Sequence, residues 1–249
     1  MVKFSLIFIF MCFFWSFFIE PNLIIVKKYK INKFDKKIIF ISDLHISKFD
    51  KNRLKRIVKL VNKQKPDLVL SGGDYIKGHT GKTSLDIETI AYEVSKINAP
   101  IISVLGNHDG WYDKYKVKKA LENNGIIVLS NSNTKFENIS IAGVEDLQTG
   151  IPNVKTALEG TVSPRILITH TPDVYPEIDE NVDLILAGHV HAGQVRLPSY
   201  GALILPSKYG KEFEYGIYYK NNKMIVTKGL GTSILTMRFN CIPEIVVIE

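Results

Sequence analysis

The chain has 249 residues, 45% of them apolar and 23% charged, with a net charge of +7. That balance suits one α/β domain with a large core and excludes a disordered or fibrous chain. The two cysteines, Cys12 and Cys241, come without any C-x-x-C, which excludes a disulfide framework and a thiolate metal site.

The first element is an apolar run over residues 4–19, sixteen residues without a charge, preceded by Lys3. As a helix it spans roughly 24 Å, a little short of a bilayer core of about 30 Å. Trp15-Ser16-Phe17-Phe18 offers no small-residue cleavage pattern and no arginine pair precedes the run. Residues 1–26 therefore read as an uncleaved membrane anchor, with a cleaved signal or an interfacial helix as alternatives. Lys27, Lys28, Lys30, Lys33, Lys36 and Lys37 follow the run, which by the positive-inside rule places the main body in the cytoplasm. A short N-terminal segment of this kind also exports proteins, so the side stays open.

Residues 27–65 carry fourteen Lys or Arg against three Asp. Such a segment attracts anionic headgroups by roughly 1 kcal/mol per well-placed lysine, or is simply a solvated face. Aromatic residues do not interleave with these charges, so no specific nucleic-acid partner is expected.

Short β-branched runs then alternate with amphipathic stretches. "KIIFISDLH" reads as a buried strand, and "NRLKRIVKLVNKQ" as a helix with Leu54, Ile57, Val58 and Val61 on one face. "PDLVLSGGD" is the next strand, followed by a helix over about residues 85–97. "PIISVLGNHD" is a third strand, followed by "YKVKKALENNG", a helix stopped at Gly125. Strands follow in "GIIVL", "ISIAGVED", "RILITH" and "DLILAGHVH". The tail segments "GALILP", "EYGIYYKNNKMIVTKGLG" and "EIVVIE" read as strands, with Asn221-Asn222 a two-residue hairpin loop. The expectation is a layered α/β domain over residues 37–249, with one central sheet or two packed sheets and helices outside.

The polar residues closing these strands form a pattern: Asp43-Leu44-His45, Gly72-Gly73-Asp74, Gly106-Asn107-His108-Asp109, His170, and Gly188-His189-Val190-His191. Ligands of α/β sheets bind outside the carboxyl ends of the strands, and five strands deliver Asp, Asn or His there. Side chains alternate along a strand, so Asp43 and His45 should share a face, as should His189 and His191. Five of the six histidines fall in these motifs, with His79 the outlier. Any one motif alone reads as an ordinary turn or a satisfied core histidine; their conjunction reads as a metal site. Carboxylate, imidazole and amide donors suit Mn, Fe, Zn or Co. Seven candidate ligands (Asp43, His45, Asp74, Asn107, His170, His189 and His191) are too many for one tetrahedral ion and suit two ions sharing a bridge.

In this order, "SDLH", "GGDY", "GNHD", an isolated "TH" and "AGHVH" resemble the calcineurin-like metallophosphoesterases, from about Lys37 to the end of the chain. "GHVHAGQVRLP" and "RFNCIPEI" resemble a membrane-associated bacterial branch related to UDP-2,3-diacylglucosamine pyrophosphatase. Val190 and Ala192 stand where threonine and glycine would be expected. The resemblance implies a layered sandwich of two mixed sheets flanked by helices. It also implies two divalent ions, manganese in first place: Asp43, His45 and His191 hold one, Asn107, His170 and His189 the other, and Asp74 bridges them. His108 would face the substrate phosphate as the catalytic residue, and Asp109 would orient His108 or cap the following segment.

The function expected is hydrolysis of a phosphoester or pyrophosphate bond by a bridging hydroxide of a two-metal centre, on a phosphorylated small molecule or a lipid-linked substrate. The alternatives are a nuclease or cyclic-nucleotide phosphodiesterase on the same site, and a non-catalytic metal-binding scaffold. Arg196, Arg238 and Asn240 read as scaffold residues or phosphate contacts. Asp146 and His79 read as loop residues or cleft borders, and Trp111, Tyr112 and Tyr115 as packing or an apolar wall.

Overall fold

The structure, a computed structural model, describes residues 2–249, with side chains from Ile7 onward. Alternation along the strands builds its centre. In β2 (Ile38–Ile41), Ile38 and Phe40 face one way and Ile39 and Ile41 the other, all buried. Both faces of a strand so apolar must be covered. Two six-stranded sheets and their helices do this.

The first sheet runs β1 (Ile25–Tyr29), β14 (Glu244–Ile248), β2, β3 (Leu68–Ser71), β4 (Ile101–Ser103) and β5 (Ile127–Val128). Neighbours are parallel except β14 against β2. The second runs β12 (Gly216–Tyr219), β13 (Lys223–Val226), β9 (Leu184–Ala187), β8 (Arg165–Ile168), β7 (Ile139–Gly143) and β6 (Ser132–Phe136), antiparallel only at its two outer pairs. Ile38, Phe40, Leu68 and Leu70 meet Ile141, Ile166, Leu184 and Leu186 between the sheets.

The alternate residues Ile39, Ile41 and Val69 pack under α2 (Lys51–Lys63), α3 (Ile87–Val94) and α4 (Asn107–Asn123), where α2 presents the Leu54, Ile57, Val58 and Val61 face its spacing predicted. On the far side Leu167, Ile185 and Val226 pack against Leu158 of the short helix α5 (Val154–Leu158), Val174 and Tyr175. Each fully buried Ile or Leu contributes about 1.5–3 kcal/mol, so the sandwich is the rigid frame.

Three readings of the sequence change. The apolar run is not one spanning helix. α1 (Val2–Phe14) gives way to a π-turn at Trp15–Ile19 and a 3₁₀ turn at Glu20–Asn22, and among the described residues no helix is long and apolar enough to cross a membrane. Thirteen residues of α-helix reach about 20 Å. The side chains of Lys3 and of residues 4–6 lie outside the described residues. The first sheet begins ahead of residue 37, because β1 pairs in parallel with β14 along its whole length. Finally, Tyr219 pairs with Lys223, so the last hairpin closes on three residues rather than two. The reason is Asn222, buried there: its Oδ1 accepts Val182 N–H, its Nδ2 donates to Glu180 O, and its carbonyl accepts the Tyr175 hydroxyl.

Candidate metal centre

The loops leaving β2, β3, β4, β8 and β9 bring all seven predicted ligands and His108 together, each at most 6% exposed. Strand alternation is not what aims them. Asp43, His45, Asp74, His189 and His191 lie beyond the strand ends with φ of 56°, 40°, 58°, 69° and 48°. Left-handed backbone is tolerated best by Asn, Asp and His among residues with a Cβ, and it clusters where a site must be held against local preference. Gly106 and Gly188 are required for a different reason. A Cβ on the first would collide with Asp74 and His170, and on the second with Ser42 and Asp43.

Among the described residues three triads of ligand atoms lie within 4.8 Å of one another: Asp43–His45–His191, Asp43–Asp74–His170 and His45–Asp74–His108. Asp74 Oδ2 is 3.3 Å from His45 Nε2 and 3.3 Å from His170 Nε2, midway between the two groups. His191 Nε2 is 3.1 Å from His45 Nε2 and 3.4 Å from Asp43 Oδ1. In the second group, Asn107 Oδ1 is 2.8 Å from His170 Nε2 and 2.9 Å from His189 Nδ1.

The donor chemistry tests whether cations fit. His45 Nδ1 lies 3.0 Å from Ile76 O and His170 Nδ1 2.7 Å from Gly72 O, and donation there fixes the tautomer that leaves Nε2 a lone pair. Those lone pairs then point at other ring nitrogens, a carboxylate and an amide oxygen. Such a collection is repulsive in isolation and is satisfied by divalent cations.

Burial pushes His45 down to about 3 and His189 to about 4, and holds His191 well below the ordinary imidazole value, aided there by His45 and Arg238. These rings are neutral at pH 7, as ligands must be. Burial also opposes charge on His170, but Asp74 overrides it and holds that ring well above its ordinary value, so a cation binding at its Nε2 would displace a proton there. Burial works against the Asp74 carboxylate too, and the surrounding His170, His45 and His108 still hold it well below the usual range.

His108 and Asp109 sit on the first turn of α4. His108 N–H donates to Asp74 Oδ1, its Nδ1 is 3.1 Å from Gly78 O, and its Nε2 faces Ser233 Oγ at 3.3 Å. Asp109 does not orient His108. Its carboxylate accepts the amides of Asp74, Tyr75, Ile76 and Gly106, tying the second motif to the third. Burial and the neighbouring Asp74 push it up to about 7.

Residues that sequence reasoning missed or set aside complete the surroundings. Gln148 Nε2 lies 3.2 Å from His189 Nε2, which also faces Pro206 O at 3.0 Å. No local motif announces Gln148 or Ser233. His79, the outlier, stacks edge-on with His108 at 5.2 Å and against Trp111 at 4.3 Å, so both border the site. Asp146 caps its own turn through Oδ2 while its buried Oδ1 has no partner. It lines a cavity of about 340 Å³ with Leu105, Gly110, Lys114 and Lys118. Tyr115 borders this cavity, whereas Tyr112 packs on the α2–α4 layer. Arg196 pairs with Glu214 and donates to Ala192 O, beside His191, and Arg238 is wholly buried behind His191.

Residues 36–193 match the profile of the calcineurin-like phosphoesterases. The chain is 34% identical to the uncharacterized metallophosphoesterase YkuE of Bacillus subtilis, over 92% of this chain and 86% of that protein. It is 33% identical to the phosphodiesterase YaeI of Escherichia coli, over 89% and 84%. Among solved structures, the NAD nucleotidase of Haemophilus influenzae shares the fold with a TM-score of 0.53 at 20% identity, over 78% of this chain and 45% of that one.

Proposed function

The chain belongs to the calcineurin-like phosphoesterases, hydrolases of phosphoester bonds, and from that premise we propose that it cleaves a phosphodiester or pyrophosphate at a two-ion centre. Asp43, His45 and His191 would hold one divalent ion, Asn107, His170 and His189 the other, and Asp74 would touch both. The observation that carries this is the position of Asp74 Oδ2, 3.3 Å from a histidine of each group. Bound ions supply Lewis-acid polarisation of the phosphoryl oxygens and an activated water.

The chain's own groups do the rest. The carbonyls of Ile76 and Gly72 orient His45 and His170, and Asp109 holds the second and third motifs in register. His108, held by Gly78 O and by Asp74, turns Nε2 toward the mouth, where it delivers a proton to the leaving oxygen.

An amphiphilic, lipid-linked substrate and a membrane-associated chain are the finer part of the reading. They are supported by exposed apolar residues on α1 (Phe8, Phe10 and Met11) and by exposed Ile204 and Ile234. The latter two lie two residues from Pro206 and one from Ser233, which touch His189 and His108. The lysine-rich start of the sandwich adds attraction for anionic headgroups.

The test uses the full chain in detergent, stripped of metal and reloaded with Mn²⁺, on a phosphomonoester, a phosphodiester and a nucleoside-diphosphate-linked lipid. Mn²⁺-dependent turnover, highest on the last and absent in Asp74→Ala, is expected. Two bound ions with no turnover on any substrate would sink the catalytic reading.

A further inference from the structure

The foot of the apolar N-terminal segment is inserted behind one half of the ligand cluster. Ser16 and Glu20 are buried although residues around them are exposed. Glu20 is 2% exposed and accepts three donors: Trp15 Nε1 at 2.7 Å, Asn240 N–H at 3.0 Å and Cys241 N–H. Ser16 O accepts Arg238 N–H at 2.9 Å. The N-terminal segment therefore fixes the turn 238–241 by both its ends.

That turn carries Arg238, whose side chain is wholly buried. Its guanidinium donates to the carbonyls of Lys228, Gly229, Gly231 and Cys241 and lies 3.5 Å from His191 Nδ1. Cys241 Sγ donates to His191 O. Arg53, half-buried, takes the carbonyl of Leu230 and buried Lys77 that of Thr232, so every carbonyl from 228 to 232 meets a cationic side chain. The loop so clamped is the back wall of Asp43. Leu230 N–H donates to Ser42 O, Gly231 N–H donates to Asp43 O, and a Cβ on Gly229 would strike the Asp43 side chain.

Both ends of this path reach the same half of the cluster. His191 and Asp43 are buttressed by the turn and the clamped loop. Asn107 and His170 are held by other means, through α4 and Gly72 O, and only His189 of that half is tied to the first, by its N–H to the Asp43 carboxylate. From this asymmetry we infer that Glu20 and Arg238 are positioning residues for the ion of Asp43, His45 and His191, so that residues 15–20 complete that position and bear much less on the other. The inference rests on the two-ion reading and adds that the two positions have different dependence on the N-terminal segment.

The test titrates Mn²⁺ into metal-free full chain in detergent, following ion number by calorimetry and ion–ion coupling by electron paramagnetic resonance. Wild type is expected to take up two ions and show the exchange-coupled spectrum of a pair. In Glu20→Gln, one of the two affinities drops by about tenfold or more, the range for groups that orient a ligand, and at intermediate Mn²⁺ the spectrum is that of an isolated ion. Glu20→Asp restores much of the loss. A merely structural role would lower thermal stability and weaken both ions alike.

Two ions bound at wild-type affinity in Glu20→Gln would overturn the inference. Should that variant fail to fold, Trp15→Phe, which removes the indole N–H donor to Glu20 at a part-exposed position, decides in its place: one weakened ion supports the inference, and none overturns it. If wild type itself holds a single ion, the two-ion reading falls, and positioning by Glu20 stands or falls on whether Glu20→Gln weakens that ion.

Discussion

Two regions of the molecule invert the usual partition of side chains, in opposite senses. The ligand cluster buries two carboxylates, an amide and five imidazoles with their lone pairs facing one another. The N-terminal helix exposes Ile7, Phe8, Ile9, Phe10 and Met11, each more than half accessible. In the sandwich itself, apolar residues are paired and buried. The contrast teaches that an inverted partition needs a reason of its own. The buried donors are shaped for cations, and on the proposed reading the exposed apolar helix meets a membrane surface.

The sharpest way to break this comparison is Asp74→Ala. Metal content should fall and turnover drop roughly a thousandfold or more, reflecting the several kcal/mol that bound ions contribute to the transition state. Retained metal and rate would mean the buried charge is not there for cations.

His108→Ala should cost about 10²–10⁴ in rate, most for poor leaving groups, with metal content near wild type as read by elemental analysis. Loss of metal would move His108 into the ligand set, where it shares a 4.8 Å cluster with His45 and Asp74.

The other half is probed by Phe8→Ser with Phe10→Ser. Each buried ring contributes about 1.5–3 kcal/mol, so binding to phospholipid vesicles in a sedimentation assay should fall at least tenfold. Thermal stability should stay unchanged, because neither ring touches the sandwich core.

The smallest effect is expected at Asp183, far from either region. Burial works against its charge, but hydrogen bonds from Arg165 N–H and the Ser163 hydroxyl, with Lys33 beside it, hold its carboxyl below the ordinary carboxylate range. A depressed carboxyl stabilises the fold above the unfolded value, and that stability is lost as pH falls through the folded one. Asp183→Asn should therefore melt slightly below wild type at pH 7, and the difference should close under strongly acid conditions.

Much of the site could be read from sequence because its residues are local: each motif closes a strand, and glycines beside Asp74, Asn107 and His189 mark the turns. The strands of the sandwich were equally readable, being runs such as Ile38–Ile41 with no polar break. What escaped is what long-range contact decides. The left-handed backbone at Asp43 and His45 has no periodic signature, and strand alternation paired Asp43 with His45 for the wrong reason while joining His189 to His191, which fall in different halves of the cluster. Gln148 and Ser233 reach His189 and His108 from loops 41 and 125 residues away. The break of the apolar run at Trp15 follows from Glu20 turning inward to amides some 220 residues further on, which no local pattern encodes.

The place of β14 between β1 and β2 has a consequence for biosynthesis. A nascent chain can pair β2 with β3, β4 and β5, and complete the second sheet, as it emerges, but β1 has no sheet to join until β14 is made. The N-terminal foot therefore waits until residues 238–248 have left the ribosome before it can seat behind His191, and a product terminated ahead of them would lack that seat altogether.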